Sequence, residues 1–168
     1  IHLSSGEKAP CISDIGHERL DRLISRAGEL GIKLAFENQR KLANLAFVME
    51  LYKDKEAVGF CWDSGHEACF SPGRQYMPLF GQRLICTHIH DNFGVTQPGN
   101  IHAHDDLHRL PFDGQLDWQW YGCRIKEVEY NGPLTLELSS KSKVAYENIS
   151  LDVFLQTAFE RMKKIREF

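Results

Sequence analysis

Four short apolar segments of this chain each end on side chains that bind cations or move protons. Glu37 closes Ile32-Lys33-Leu34-Ala35-Phe36, and Asp63 closes Val58-Gly59-Phe60-Cys61-Trp62, with His66 three residues on. His88 and His90 end Leu84-Ile85-Cys86-Thr87, and Glu137 ends Pro133-Leu134-Thr135-Leu136. Helix-patterned stretches follow most of these strand-like runs. A (β/α) barrel places its site in this way, at the carboxyl ends of parallel strands covered by helices. The pattern therefore predicts an α/β chain in which these residues converge on one divalent-metal site.

The remaining elements follow from periodicity. Ile1-His2-Leu3 reads as the tail of a strand, and a helix over about 16–29 carries Leu20, Leu23, Ile24, Ala27 and Leu30. Ser13 or Asp14 is its expected cap and Gly31 its expected stop. Further helices are expected over about 40–53, 118–127 and 151–167, the last capped by Ser150. Strands are expected at 32–37, 57–62, 84–90 and 133–138, separated by a short helical region that Pro72-Gly73 breaks and by a long polar loop over 91–117. A loop of that length in a compact unit is a candidate functional loop. No linker or repeat divides the chain, so residues 1–168 read as a single domain. A (β/α)8 TIM barrel takes roughly 250 residues. The five strands here have the shape of its C-terminal part, about strands 4 to 8, with the earlier strands expected outside this sequence or from another chain. An exposed first strand is a pairing hazard, which points to a homodimer or to instability.

Composition narrows the partners. A formal charge of −3, with Lys and Arg scattered, leaves no electrostatic footprint for nucleic acid. The basic cluster Arg161, Lys163, Lys164 and Arg166 reads as a solvated face at a helix C-terminus. No apolar run approaches the roughly 20 residues that cross a bilayer. Cys11, Cys61, Cys69, Cys86 and Cys123 are odd in number and lack C-x-x-C spacing, which suits reduced, buried thiols in a cytoplasmic protein.

Glu37 and Glu137, at core depth, must be paired, hydrogen-bonded or bound to a cation. Asn38 beside Glu37 reads as a cap or supporting residue. In Asp63-Ser64-Gly65-His66, Gly65 is expected to give the sharp turn that aims both polar groups into one cavity. His88 and His90 share a strand face, and two imidazoles beside carboxylates suit Zn²⁺ or Mn²⁺. The loop adds His102, His104, Asp105, Asp106 and His108, of which Asp106 and His108 are the most ligand-like pair. Trp62, Phe93, Phe112, Trp118 and Trp120 read as core or pocket wall.

Taken together, Leu34-Ala35-Phe36-Glu37-Asn38, Trp62-Asp63-Ser64-Gly65-His66, His88-Ile89-His90-Asp91-Asn92, Asp106-Leu107-His108 with Pro111-Phe112-Asp113-Gly114, and Leu134-Thr135-Leu136-Glu137-Leu138 resemble the xylose isomerase-like TIM-barrel superfamily. The sugar phosphate isomerase/epimerase branch is the nearest, and the endonuclease IV group of apurinic-site nucleases is related. The resemblance implies that Glu37, Asp63, His88 and Glu137 hold a divalent metal, Mn²⁺ or Zn²⁺ first and Mg²⁺ or Co²⁺ as alternatives. His88 is preferred to His90 because the family's ligand lies three residues before an acid, here Asp91. His2, His66, Asp106 and His108 fall on further metal positions of the nucleases. Glu37 and Glu137 are the implied catalytic pair, moving a proton through a metal-stabilised enediolate. His66, His90, Asn38, Trp62 and His108 are the implied contacts to a sugar or sugar phosphate. Gly94 stands near the place where some ketose epimerases carry an arginine, which speaks against that particular kind. An apurinic-site phosphodiesterase and a non-catalytic sugar-binding module are the competing readings.

Overall fold

A computed structural model describes residues 1–3, 13–140 and 145–168. Its centre is a parallel sheet of β1 (Leu34–Glu37), β2 (Val58–Asp63) and β3 (Leu84–His88), in that order. Every residue of β2 is buried, as expected of a central parallel strand covered on both faces. Phe60 and Trp62 point to one side, where they meet Tyr76, Phe80 and Tyr121 of the surrounding layer. Alternation turns Cys61 and Asp63 to the other face, the barrel interior. The sheet and its helices form a partial α/β barrel.

The helices are α1 (Asp14–Glu29), α2 (Leu42–Leu51), α3 (Ser64–Phe70), α4 (Met77–Phe80), α5 (Trp118–Glu127) and α6 (Leu151–Glu167). Ser13 caps α1, accepting from Gly16 N at 3.1 Å, and Ser150 caps α6, accepting from Val153 N at 3.3 Å. Gly31 follows α1 with φ +66°, the left-handed stop a glycine supplies. Ile24 and Ala27 face the core, whereas Leu23 and Leu30, read as part of the same stripe, are exposed. The basic cluster on α6 is more than a solvated face. Arg161 pairs with Asp113 at 2.6 Å, Arg166 donates to Gly132 O at 2.6 Å, and Lys164 lies over the Phe112 ring. These contacts tie α6 to the loop and to the segment before 133.

Two expected strands are not regular strands. Ile1–Leu3 runs along the free edge of β1, where Glu37 N donates to Ile1 O at 3.1 Å, without completing a ladder. Over 133–138 a single parallel bridge joins Ile89 to Leu136, with Ile89 N donating to Thr135 O at 2.8 Å and Glu137 N donating to Ile89 O at 3.2 Å. The ladder goes no further because Pro133 has no N–H and Thr135 N donates instead to the Thr87 hydroxyl, at 2.9 Å. Cys61, Cys69, Cys86 and Cys123 are free thiols, and Cys11 lies outside the described residues.

Candidate metal centre

The strand ends bring the acidic side chains together. Glu37 and Asp63 are the last residues of β1 and β2, and register pairs Asp63 with His88, the last residue of β3. Asp63 also caps α3, its Oδ1 accepting from His66 N at 2.7 Å, so one residue ends the strand and aims the next imidazole. Asn38 locks β1 to β2 at this level. Its amide nitrogen donates to Asp63 O at 2.8 Å, and its oxygen accepts from Asp63 N at 2.7 Å. Ser64 Oγ does the same for His90, donating to its carbonyl at 2.8 Å and accepting from its N–H at 3.1 Å.

Around these anchors the side chains form one network. Glu37 meets His88 Nδ1 at 3.0 Å, His66 Nδ1 at 2.9 Å and His2 Nε2 at 3.0 Å, and accepts from Gln39 Nε2 at 2.9 Å. Glu137 meets the same His88 Nδ1 at 3.1 Å, and Asp63 Oδ2 stands 3.9 Å from it. Asp63 Oδ1 faces His90 Nε2 at 3.1 Å. From the loop, Asp106 reaches His66 at 3.3 Å, His108 at 3.2 Å and His90 at 3.5 Å. His108 holds a left-handed backbone, φ 48°, fixed by its ring against Glu137 O and by Ser139 N donating to its carbonyl. Strain of this kind persists where surrounding structure over-determines it, as at binding sites.

The protonation states follow from this crowding. Burial works against a charged ring at His66, but its bonds to Asp106 and Glu37 outweigh that and raise its pKa to about 10. Asp106 chiefly raises His108, to about 9. His88 is driven toward imidazolium by its contacts with Cys61, Glu137 and Glu37. Burial opposes ionisation of Glu37 and Asp106, yet their imidazole partners hold both well below the usual carboxylate range. Protons on the imidazoles here do the electrostatic work that a cation among four carboxylates would do.

The donor set fits a divalent cation. Asp63 Oδ2, His88 Nδ1, Asp106 Oδ1 and both ring nitrogens of His90 are buried without a well-formed hydrogen bond. Donors sharing one cation at about 2 Å each stand roughly 3–4 Å apart, the separation found between Asp63 Oδ2 and His88 Nδ1. Glu37, Asp63 and His88 offer ligand atoms within 4.8 Å of one another, and so do Asp63, His66 and His90, and His90, Asp106 and His108. Oxygen and imidazole donors of this kind suit Mn²⁺, Zn²⁺, Co²⁺ or Mg²⁺.

Three residues read as substrate contacts are fully buried. Trp62 is 0 % exposed, on the helix-facing side of β2, and donates to Glu67 at 3.0 Å. Asn38 is also fully buried, with its amide spent on Asp63. His90 lies beneath His108, the rings stacked at 4.2 Å, and is 0 % exposed. Gly65 is inside α3 rather than at a sharp turn; a Cβ there would overlap the His90 ring, so close approach is what requires glycine. His102 and His104 join none of the ligand groups among the described residues. Gln39, not singled out by sequence, bonds both Glu37 and His66, at 2.9 and 3.2 Å. Its only sequence signal is its place two residues past Glu37.

Comparison with known proteins agrees with this architecture. The family model described as xylose isomerase-like TIM barrel matches residues 4–162. The chain belongs to that family. Protein y4fM of Sinorhizobium fredii (strain NBRC 101917 / NGR234), itself uncharacterised, is 39% identical over 125 residues, covering 74% of this chain and 36% of its own length. An IolI protein with a bound zinc atom superposes with TM-score 0.70 at 18% identity, over 98% of this chain and 60% of that one. A D-allulose 3-epimerase from Methylomonas sp., in complex with D-allulose, gives TM-score 0.62 at 20% identity, over 95% of this chain and 58% of that one. The chain thus spans about a third of the curated relative and about three fifths of these structures.

Proposed function

We propose that the chain carries the metal-binding half of a sugar, or sugar phosphate, isomerase or epimerase. The observation that carries the reading is the pair Asp63 Oδ2 and His88 Nδ1, buried without a well-formed hydrogen bond and 3.9 Å apart between Glu37 and Glu137. A divalent cation held by Glu37, Asp63, His88 and Glu137, Mn²⁺ or Zn²⁺ before Mg²⁺ or Co²⁺, would polarise a bound carbonyl and acidify the neighbouring C–H. Glu37, 2 % exposed and fixed by Gln39 and His2, and the more open Glu137 flank His88, and they remove and return that proton. The ring nitrogens of His66 meet Glu37 and Asp106, and those of His108 meet Glu137 O and Asp106, so either histidine would exchange one of these contacts for a substrate oxygen. The zinc of the IolI structure and the D-allulose of the epimerase structure support this choice.

Solvent-deuterium exchange tests it. The metal-loaded protein, screened against ketoses and aldoses, is expected to wash deuterium into the carbon beside the carbonyl. Glu137→Gln should abolish that exchange while the sugar still binds; unchanged exchange would exclude Glu137 from both of its roles. A second reading, hydrolysis of DNA at apurinic sites, draws on the additional ligand groups around His90, Asp106 and His108. A charge of −3 gives it no DNA-tracking surface. Two or three bound metals per chain would favour it; none would favour a non-catalytic module.

A further inference from the structure

Directly below the carboxylate network, the barrel interior presents two thiols. Cys61 precedes Asp63 by two residues on β2 and Cys86 precedes His88 by two on β3, so the pleat turns both toward the face that carries the network. A one-residue irregularity brings them opposite each other. The register Phe60↔Leu84 would, if continued, set Cys61 against Ile85; the shift between Phe60 and Cys61 pairs it with Cys86 instead. The two Sγ atoms and a ring nitrogen of His88 all lie within 4.8 Å of one another. Neither sulfur is in a disulfide. The sequence reading of Cys61 and Cys86 as plain core filler does not account for this convergence.

The donor chemistry differs from that of the network above. Two sulfurs and an imidazole are soft donors that select d¹⁰ cations, whereas the carboxylates above select harder ones. We infer that Cys61, Cys86 and His88 form a second cation seat, one layer down the barrel interior, for a thiophilic ion such as Cd²⁺. Each thiol releases its proton to solvent as its sulfur–metal bond forms; His88, driven toward imidazolium in the metal-free chain, likewise gives up a ring proton before that nitrogen donates its lone pair, with no change in oxidation state. Three protein donors leave the fourth tetrahedral position to water. His88 also belongs to the Glu37–Asp63 group, so the two seats share a ligand: a soft ion settles on the thiols and a hard ion on the carboxylates. The inference does not depend on any turnover by the chain.

Titration of the reduced, chelator-stripped protein with Cd²⁺, and separately with Co²⁺, tests it through the sulfur-to-metal charge-transfer band. A saturable band is expected, lost in C61S/C86S and retained in C11S/C69S/C123S. Mn²⁺ binding, followed by the paramagnetic resonance of the free ion, should be unchanged in C61S/C86S. No band in the wild type, or a band surviving C61S/C86S, would overturn the seat. So would loss of Mn²⁺ binding in a C61S/C86S protein whose circular dichroism remains native, since the thiols would then belong to the carboxylate site. If C61S/C86S does not fold, C86S alone, at the more open thiol, must weaken Cd²⁺ binding by at least the roughly 10- to 100-fold that losing a mere outer partner costs; an unweakened C86S would equally overturn it.

Discussion

Asn38 and Gly65 hold the site without offering a ligand atom of their own. Asn38→Ala leaves the N–H and C=O of fully buried Asp63 without partners, at about 1–3 kcal/mol for each orphaned group. Urea denaturation should show that loss, and a stability within error of wild type would mean the bridge is dispensable. Gly65→Ala pushes a methyl into the His90 ring and should cost about 1–3 kcal/mol by overpacking. His66 and His108 have folded-state pKa values raised to about 10 and about 9, above the ordinary imidazole value near 6.5. Their stabilisation is complete below pH about 6.5 and is lost as pH rises through those values, by up to about 1.4 kcal/mol per imidazole for each pH unit. Glu37 and Asp106, both lowered, stabilise above the ordinary carboxylate range and lose that contribution as pH falls. The metal-free chain should therefore be most stable near pH 5–6.5 and weaken toward pH 10. Saturating Mn²⁺ should flatten the alkaline limb, because a cation replaces the protons. Melting curves with and without chelator would show it; identical alkaline limbs would contradict it.

Among the elements, α5 and α6 match their sequence boundaries because Asp117 and Ser150 cap them and one apolar face is buried in each. The three sheet strands were legible as apolar runs closed by polar residues. The segment 133–138 carries the same pattern, yet pairs at one point only, because Thr87 and Pro133 redirect its backbone bonds, which hydrophobic periodicity does not encode. The short α4 lies beyond the break expected at Pro72-Gly73, where no further helix is expected from sequence; its Pro78 sits in the first turn, where proline is tolerated. Site residues were legible where a charge ends an apolar run. Gln39 and the Cys61–Cys86 pairing were not, because contacts between strands set them. Thr87 supports the strand-end geometry: its buried hydroxyl accepts from Thr135 N, two residues before Glu137. Thr87→Val keeps the shape and removes that bond. It should cost about 1–3 kcal/mol and weaken Mn²⁺ binding through Glu137, and unaltered binding would show that Glu137 is placed by other means.

At the scale of the molecule, the sheet has an edge along β1 that Ile1–Leu3 covers incompletely, and α6 exposes Leu151, Val153, Leu155 and Phe159. Exposed edges and apolar faces favour association, so the 168-residue chain is expected to self-associate with rising concentration in sedimentation. A sharp monomer at all concentrations would contradict that. No described helix is long and apolar enough to cross a membrane. The proposed function needs four side chains, supplied by three strand ends and one bridged segment, to act together on one ion. Equilibrium titration of the chelator-stripped protein with Mn²⁺ tests this most directly. A single tight site is expected, abolished by Asp63→Ala and by His88→Ala, whereas absent binding, or tight binding untouched by both substitutions, would contradict it.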